Sequence, residues 1–294
     1  MPAAALRALL EGAIDYAGLF PPAELALGSA LENQAAYVRS ADAWMLGCFV
    51  LPLGKFGAAG AELGQFSRGY PLRISVLGPR ATGASEFQAA IEKAAAAIKE
   101  FSAARANLVS VRQFEMALPA GVNLDSLGDS LGELPCFWEV PANDASETIA
   151  ALAGRGLGFK LRTGGVTAEA FPSDVEIARV LVAGARHEVP IKFTAGLHHP
   201  VKKFHESVGT KMHGFLNVLG AGVLAAEHHW DEAQTAEMLA DEDAKSFGFD
   251  TEVFRWREWT ITTRQIETRR RLVTSLGSCS FDEPRDDLRA LDLL

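Results

Sequence analysis

The chain has 294 residues, of which 48% are hydrophobic and 22% charged, a balance typical of a globular protein that can bury a large core. Lys and Arg number 28 against 37 for Asp and Glu, so the net charge is −9. This acidic balance argues against nonspecific nucleic-acid binding and against association with an anionic membrane surface, because both partners attract basic proteins.

Short apolar segments recur along the chain and alternate with longer segments of helical character. Most carry apolar residues on both faces, as parallel strands that are buried on both sides do, and several end at Pro or Gly. We predict eight strands from this pattern, over 14–20, 44–51, 72–77, 108–118, 136–140, 158–162, 191–194 and 272–276.

Two of the segments between the strands begin with a candidate capping box. Ser85 is followed three residues later by Gln88, and Ser173 is followed by Glu176 at the same spacing. In such a box the first side chain accepts from the backbone of the second residue, and the second reaches back to the first. We predict helices over 84–105, 143–152, 173–187 and 284–294.

Alternating strands and helices in this number predict an α/β fold, a (β/α)8 TIM barrel. A doubly wound open sheet is the competing architecture. It would place a Gly-x-Gly-x-x-Gly fingerprint after the first strand, where this chain has the sequence LFPPAE. A dinucleotide-binding fold is therefore disfavoured.

The segment between the seventh and eighth predicted strands, 200–271, is longer than one barrel helix requires. It contains HGFLNVLGAGVLAAEHH, which we predict to be the seventh barrel helix, and then an acidic stretch with tryptophans. The excess is too short and too polar for an independent core. We therefore predict one domain over 1–294 with a small inserted subdomain, whose tryptophans fill its own core or, alternatively, form a lid.

Cysteine usage and the N-terminus both suggest a cytoplasmic protein. Cys48, Cys136 and Cys279 are far apart and odd in number, without a Cys-x-x-Cys pair, so neither a disulfide framework nor a zinc knuckle is indicated. The sequence begins without a basic, apolar signal peptide, and no apolar run reaches the length of a membrane span.

In a TIM barrel, catalytic side chains project from the carboxyl ends of the strands. This rule selects candidates on six predicted strands. They are Asp15 on the first; Arg112, Gln113 and Glu115 on the fourth; Glu139 on the fifth; Lys160, Arg162, Thr163, Gly164 and Gly165 on the sixth; Lys192, Thr194, Gly196, His198 and His199 on the seventh; and Ser275, Gly277, Ser278, Cys279 and Ser280 on the eighth.

The most informative candidates are Lys160 and Lys192, each of which stands between two apolar residues inside a predicted strand. Burying an ammonium group is costly unless the group is paired or neutral. Side by side on neighbouring strands, each lysine would lower the pKa of the other, and a neutral lysine is a nucleophile for carbonyl carbon. The alternative is that one or both form buried salt bridges with Glu139, Glu115 or Asp15.

The sequence around the two lysines resembles the class I deoxyribose-phosphate aldolases. The resemblance lies in GFKLRTGG, the helix SDVEIARVLVAGARHEV and PIKFTAGLHH, and extends to IDYAGLFPPAE, GCFVLP, FWEVP and SLGSCS. These segments touch six of the eight predicted strands in the family's order. The resemblance implies a barrel that forms a Schiff base between the lysine on the sixth strand and a carbonyl substrate, with no metal and no cofactor.

Carried over by position, the resemblance makes Lys160 the nucleophile and Lys192 the neighbour that lowers its pKa. Asp15 and Glu139 would support the lysines and the proton transfers. The fourth strand departs from the family pattern, since VSVRQFEMALP lacks the family's Asp and offers Glu115 as the acid nearby. The seventh strand ends in Leu-His-His instead of Gly-Ile-Arg, and the long insertion is also a departure. We therefore expect a relative with a different substrate.

The pair His198-His199 has three open interpretations. A histidine with a pKa near neutrality suits general acid/base catalysis or substrate binding. The pair could instead be structural, or it could bind a metal with Glu139, His213 or Asp15 as a third ligand, although adjacent residues on a loop rarely point at one ion. We predict an acid/base role for His198 and a substrate-binding role for His199.

The remaining substrate-binding candidates are residues of the turns that follow the sixth and eighth strands. Glycine-rich turns can present backbone N–H groups to an anion. The predicted substrate-binding residues are Arg162, Thr163, Gly164, His199, Gly277 and Ser278.

Taken together, the sequence predicts an aldolase- or lyase-type enzyme of carbohydrate metabolism. It would act through a lysine Schiff base on a small carbonyl or sugar-like compound, with or without a phosphate group. Two alternatives stay open: a metal-dependent hydrolase or isomerase that uses His198 and His199, and a barrel that binds a ligand without catalysis. A homodimer is compatible with the sequence, which identifies no interface.

Overall fold

Eight parallel strands close into a barrel in the computed structural model, which describes residues 2–122, 124 and 131–294. The strands follow one another around the barrel in chain order, and the last pairs with the first. They are β1 (Ile14–Tyr16), β2 (Leu46–Pro52), β3 (Leu72–Leu77), β4 (Val109–Ala117), β5 (Cys136–Glu139), β6 (Gly158–Arg162), β7 (Ile191–Thr194) and β13 (Val273–Ser278).

Helices alternate with these strands, and the predicted (β/α)8 TIM barrel is confirmed. None of the helices formed by the described residues combines the length and the apolar character that crossing a membrane requires. The helices are α1 (Ala4–Leu10), α2 (Leu27–Tyr37), α3 (Phe56–Ala61), α4 (Ala84–Ala104), α5 (Ala145–Leu152), α6 (Asp174–His187), α7 (Phe215–His228), α8 (Glu232–Ala240), α9 (Thr263–Arg269) and α10 (Asp282–Ala290).

The strand predictions agree with the structure at all eight positions, and the predictions over 72–77, 158–162 and 191–194 match the observed bounds. The largest difference is at β1, which ends at Tyr16 instead of at residue 20. The chain turns after Tyr16, and Phe20 donates its backbone N–H to Ala17. An apolar sequence continues there because the turn contributes apolar side chains to a cavity.

One of the two predicted capping boxes is present. At the start of α6, the backbone N–H of Glu176 donates to the Ser173 hydroxyl at 3.3 Å, and the backbone N–H of Ser173 donates to the Glu176 carboxylate at 2.7 Å. These bonds satisfy donors that the first helical turn leaves free. They fix the start of the helix that connects β6 to β7.

The predicted box at the start of α4 is wrong. The helix begins at Ala84, so Ser85 already lies inside the first turn and cannot cap it. The Glu86 carboxylate instead accepts from the backbone N–H and the hydroxyl of Thr82, at 2.8 and 2.7 Å. The observed pair is therefore Thr82 with Glu86 instead of Ser85 with Gln88, so its hydroxyl lies three residues and its acceptor two residues earlier than predicted.

The segment 200–271 contains α7, α8 and α9 together with two small antiparallel sheets. Trp230 packs edge-on against Trp256 and Trp259, with ring centroids 5.6 and 5.1 Å apart. The three-stranded sheet reaches α1, where the Ala5 N–H donates to the Asp250 carbonyl. The sheets are formed by β8 (Lys203–His205) with β9 (Thr210–Met212), and by β10 (Phe247–Phe249), β11 (Val253–Trp256) and β12 (Trp259–Thr262).

Candidate active site

A cavity of about 450 Å³ lies at the carboxyl ends of the barrel strands. Such a volume suits a small metabolite. Six of the residues predicted for the site line it, namely Glu139, Lys160, Arg162, Lys192, His198 and Gly277.

Lys160 lies between two glutamates at the bottom of this cavity. Its Nζ is 2.9 Å from Glu115 Oε2 and 2.8 Å from Glu139 Oε2. Strand register explains the second contact, because Glu139 and Lys160 are paired across β5 and β6. Lys160 is 3% exposed, so the two carboxylates compensate a charge that water does not reach freely.

Lys192 is paired with Lys160 across β6 and β7, and its ammonium group is bound by a different acid. It donates to Asp15 Oδ2 in a short, buried hydrogen bond and to the Ser275 hydroxyl at 3.2 Å. Glu115 Oε1 lies 3.8 Å away. Glu115 thus lies within reach of both ammonium groups.

Asp15 is buried behind Lys192 and does not line the cavity. Its Oδ2 also accepts from Gln113 Nε2 at 2.9 Å and from the Ser275 hydroxyl at 2.8 Å. Its Oδ1 accepts the backbone N–H of Cys48 at 2.5 Å. Four donors from four different strands therefore fix the position of this carboxylate.

The carboxylates determine the titration of the cluster. Burial alone would raise the pKa of Glu115, but the charges of Lys160 and Lys192 outweigh it and lower that pKa to about 2. Burial would lower the pKa of Lys192, but Asp15 and Glu115 raise it overall. The mutual pKa lowering predicted for two bare lysines is therefore wrong for Lys192, because the salt bridges, which were the alternative prediction, form.

The other sixth-strand candidates have different surroundings. Arg162 is exposed at the cavity wall and donates through Nε to Glu139 Oε1 at 3.2 Å. The Thr163 hydroxyl donates to the Ala195 carbonyl at 2.6 Å, which joins the turns after β6 and β7. Gly164 belongs to the first of these two turns and does not line the cavity. Thr163 and Gly164 therefore shape the turns instead of facing the cavity.

The two adjacent histidines point to different carboxylates of α10. His198 lines the cavity, and its Nδ1 is 3.2 Å from Glu283 Oε2. His199 lies outside the cavity wall, with Nδ1 2.6 Å from Asp287 Oδ2 and its ring stacked on His205. Among the described residues, no group of three or more His, Cys, Asp and Glu side chains is arranged to hold a metal ion.

The pKa values of these two histidines are shifted in opposite directions. Burial would lower the pKa of His198, but hydrogen bonds to Cys279 and Glu283 raise it to about 9. Burial lowers the pKa of His199, and nearby Lys203 adds to the effect. At neutral pH the structure therefore favours a charged His198 facing the cavity and a neutral His199 behind it.

At the carboxyl end of β13, Gly277 and Cys279 line the cavity wall, and Ser278 is buried behind it. The Ser278 hydroxyl is 3.4 Å from His198 Nδ1, and the Cys279 thiol is 3.9 Å from the same atom. Ser278 thus contacts the histidine that faces the cavity and does not itself line the wall.

Some residues of the cluster were not among the predicted site residues. Glu115, Gln113 and Ser275 are general candidates on their strands, and Glu115 is also a candidate partner for the lysines. Ser75 is not among the candidates, although its hydroxyl donates to Glu115 Oε1 at 2.6 Å. An acid or hydroxyl inside an apolar strand is the signal they share with the lysines. Glu283 gives no such signal, because an acid in the first turn of a helix is common on protein surfaces.

Comparisons with known proteins add little to the description of this site. No protein-family model and no curated protein sequence matches the chain. A solved structure described as a "putative deoxyribose-phosphate aldolase" from Coccidioides immitis matches with a TM-score of 0.39 and 12% sequence identity. The match covers 98% of this chain and 88% of that chain. The fold assignment itself rests on the closed order of the eight strands.

Proposed function

We propose that this protein is an aldolase-type lyase that acts on a small oxygenated carbonyl compound through a Schiff base on Lys160. The observation that carries the proposal is the position of Lys160 Nζ. It lines the cavity at the carboxyl ends of the strands and lies within 2.9 Å of two carboxylates. The carboxylates can accept the proton that the lysine must lose before its amine attacks a carbonyl. They can also stabilise the cation that results.

The reaction begins when Lys160 transfers a proton to Glu115 or Glu139 and its free amine attacks the carbonyl carbon. The carbinolamine loses its oxygen as water with a returned proton, and an iminium ion remains. A carboxylate then takes the proton of the hydroxyl group on the β carbon, the bond between the α and β carbons breaks, and its electron pair moves into the iminium to give an enamine and a released carbonyl compound. Protonation of the enamine and attack of water on the resulting iminium free the second product and return Lys160. The two carboxylates stabilise the iminium charge at the place where the ammonium charge was.

In this proposal Lys192 and Asp15 form a fixed ion pair behind the reacting amine. Lys192 stays charged in this pair, because Asp15 and Glu115 raise its pKa. The register of β6 and β7 places its ammonium group beside Lys160. Asp15 therefore positions Lys192, and Lys192 fixes a positive charge next to the reacting amine.

Glu115 takes the place of the acid that the resemblance leads one to expect on the fourth strand. Its strand, β4, brings the carboxylate to Lys160, while Ser75 on β3 holds the other oxygen. His198 also lines the cavity and would donate a proton to the carbinolamine oxygen as it leaves as water. Together these residues supply the base and the acid that reversible bond cleavage needs.

Exchange of substrate protons with solvent tests this proposal without knowledge of the second substrate. The protein would be incubated in D₂O with a panel of small aldehydes and ketones, and NMR would follow deuterium uptake at the carbon next to the carbonyl. We expect uptake with at least one compound, its loss in Lys160→Met, and its retention in Lys203→Met, whose lysine is exposed outside the cavity. Uptake that persists in Lys160→Met would contradict the proposal.

A barrel that binds its ligand without catalysis is the second candidate. One observation favours it: both ammonium groups are ion-paired and almost fully buried, as in a structural charge cluster. The same experiment separates the two candidates. A carbonyl compound that binds in the cavity, shown by NMR line broadening, and exchanges no protons would favour the binding protein.

A further inference from the structure

The wall of the cavity is positively charged, although the chain as a whole is acidic. Four lysine and arginine side chains line the cavity beside His198, whose charge is paired with Glu283, and two carboxylates, Glu115 and Glu139, oppose the four. Asp15 lies directly behind the wall, and one positive charge still remains in excess. The complete chain has a net charge of −9. The four cationic residues are Arg80, Lys160, Arg162 and Lys192.

Within the cavity, the acids are already engaged by three of these four cations. Lys192 binds Asp15, and Lys160 contacts both glutamates. Arg80 is different: across the described residues no carboxylate lies within ion-pair distance of its guanidinium. The acid nearest to it in sequence, Glu86, is bound by Thr82 at the start of α4. Arg80 thus provides an uncompensated charge at the cavity wall.

Arg162 also keeps donors free for a ligand. It contacts Glu139 through Nε, which leaves its two terminal nitrogens without a partner among the described residues. Arg80 follows β3 and Arg162 ends β6, and three strand-to-strand steps separate these strands around the barrel. Their side chains are exposed at the mouth, above the buried lysines. A guanidinium group matches the planar geometry of a carboxylate or phosphate.

We infer that the cavity takes an anion, whose carboxylate or phosphate group binds Arg80 and Arg162 while the rest of the molecule extends towards Lys160. A cleft lined by one sign of charge concentrates ligands of the opposite sign, and the acidic surface elsewhere repels them. That this anion is also the carbonyl substrate rests on the proposed function. The substrate class is then a short carbonyl compound with one acidic group at the end remote from the reacting carbon.

Isothermal titration with inorganic phosphate and, separately, with malonate tests the anion site at low ionic strength. We expect the wild type to bind at least one probe, and Arg80→Gln and Arg162→Gln each to weaken binding by about ten- to hundredfold, as the loss of a charge-assisted hydrogen bond does. Arg80→Lys should restore part of the affinity. Arg68→Gln removes an exposed arginine outside the cavity and should leave the affinity unchanged.

Matched carbonyl compounds identify the acidic group and separate this inference from the proposed function. Deuterium uptake would be compared for glyceraldehyde against glyceraldehyde 3-phosphate, and for butanone against 4-oxopentanoate, in wild type and Arg80→Gln. A preference for the anion that Arg80→Gln abolishes supports the inference. Uptake only from uncharged compounds, or equal titration by wild type and both variants, overturns it and leaves the Schiff base in place. Arg80-dependent titration without uptake supports the anion site and contradicts the lyase.

Discussion

Lys160 and Lys192 are register partners on adjacent strands, yet each ammonium group is held by its own carboxylates. Lys160 contacts the two glutamates, and Lys192 contacts Asp15. Two unpaired lysines at this spacing would repel each other and lose a proton. The acids turn the repulsive pair into a compact cluster of alternating charges at the bottom of the cavity, and the chemistry of the site depends on how that cluster moves protons.

Glu115→Gln should destabilise the protein strongly, by about 3–5 kcal/mol at pH 7, because it leaves buried ammonium groups with less compensation. Glu139→Gln is the matched control. Its carboxylate is more exposed, at 20% against 1% for Glu115, and Lys160 retains Glu115, so the loss should be smaller. Urea denaturation measures both variants. Equal losses of stability in the two variants would show that the deeper burial of Glu115 does not set its contribution to the free energy of unfolding.

The same residue makes stability depend on pH. The folded-state pKa of Glu115 lies below the ordinary value of 4.5, at about 2, so the folded protein favours the ionised form. The stabilisation is therefore complete above about pH 5 and is lost as the pH falls from there towards 2. Acid titration of the free energy of unfolding should be steep in this window for the wild type and flatter for Glu115→Gln.

NMR titration of the two adjacent histidines should show opposite behaviour. His198 should titrate at about pH 9, because Cys279 and Glu283 outweigh the effect of burial, and His199 should titrate below the ordinary value of 6.5. The stabilisation from charged His198 is present below pH 6.5 and is lost as the pH rises towards 9. Glu283→Gln should move the His198 transition down and should lower that of His199 less, because Glu283 lies 3.2 Å from His198 Nδ1 and 4.0 Å from His199 Nε2. A single shared transition would contradict the assignment.

Gly196→Ala should disrupt the turn that follows β7 at the cavity wall. Gly196 has φ +77°, and a Cβ there would lie 2.9 Å from the Gly164 Cα. Gly209→Ala is a control for backbone strain alone, since Gly209 has φ +65° and open space around a Cβ. We expect about 1 kcal/mol of destabilisation for the control and clearly more for Gly196→Ala. Equal thermal unfolding of the two variants would show that the contact with Gly164 is relaxed.

The barrel could be predicted from the sequence because each strand is a short apolar segment bounded by Pro, Gly or a polar turn. Strands buried on both faces have this pattern whatever their partners are. The two lysines could be predicted for the same reason, since a charge inside an apolar segment requires a partner. Confirmation of the strand bounds at 158–162 and 191–194 shows that the local pattern was sufficient there.

The sequence offers the three acids as candidate partners of the lysines, but which acid each lysine contacts could not be predicted in the same way. Asp15 is held by Gln113 and Ser275, which lie 98 and 260 residues away along the chain. Such contacts depend on barrel closure and strand register, neither of which a local pattern contains. Glu283 is a further case, because only the packing of α10 against the cavity brings it to His198. The ion pairs therefore emerged from the topology, and with them the raised pKa of Lys192.

Borohydride trapping tests whether Lys160 forms a Schiff base. The protein would be incubated with small aldehydes and ketones, including anionic ones, then reduced and mapped by peptide mass spectrometry. We expect a stable adduct on Lys160 that is absent in Lys160→Met and persists in Lys203→Met. An adduct on Lys192 that forms equally well in Lys160→Met, or no adduct with a compound that exchanges its protons in the cavity, would contradict this expectation.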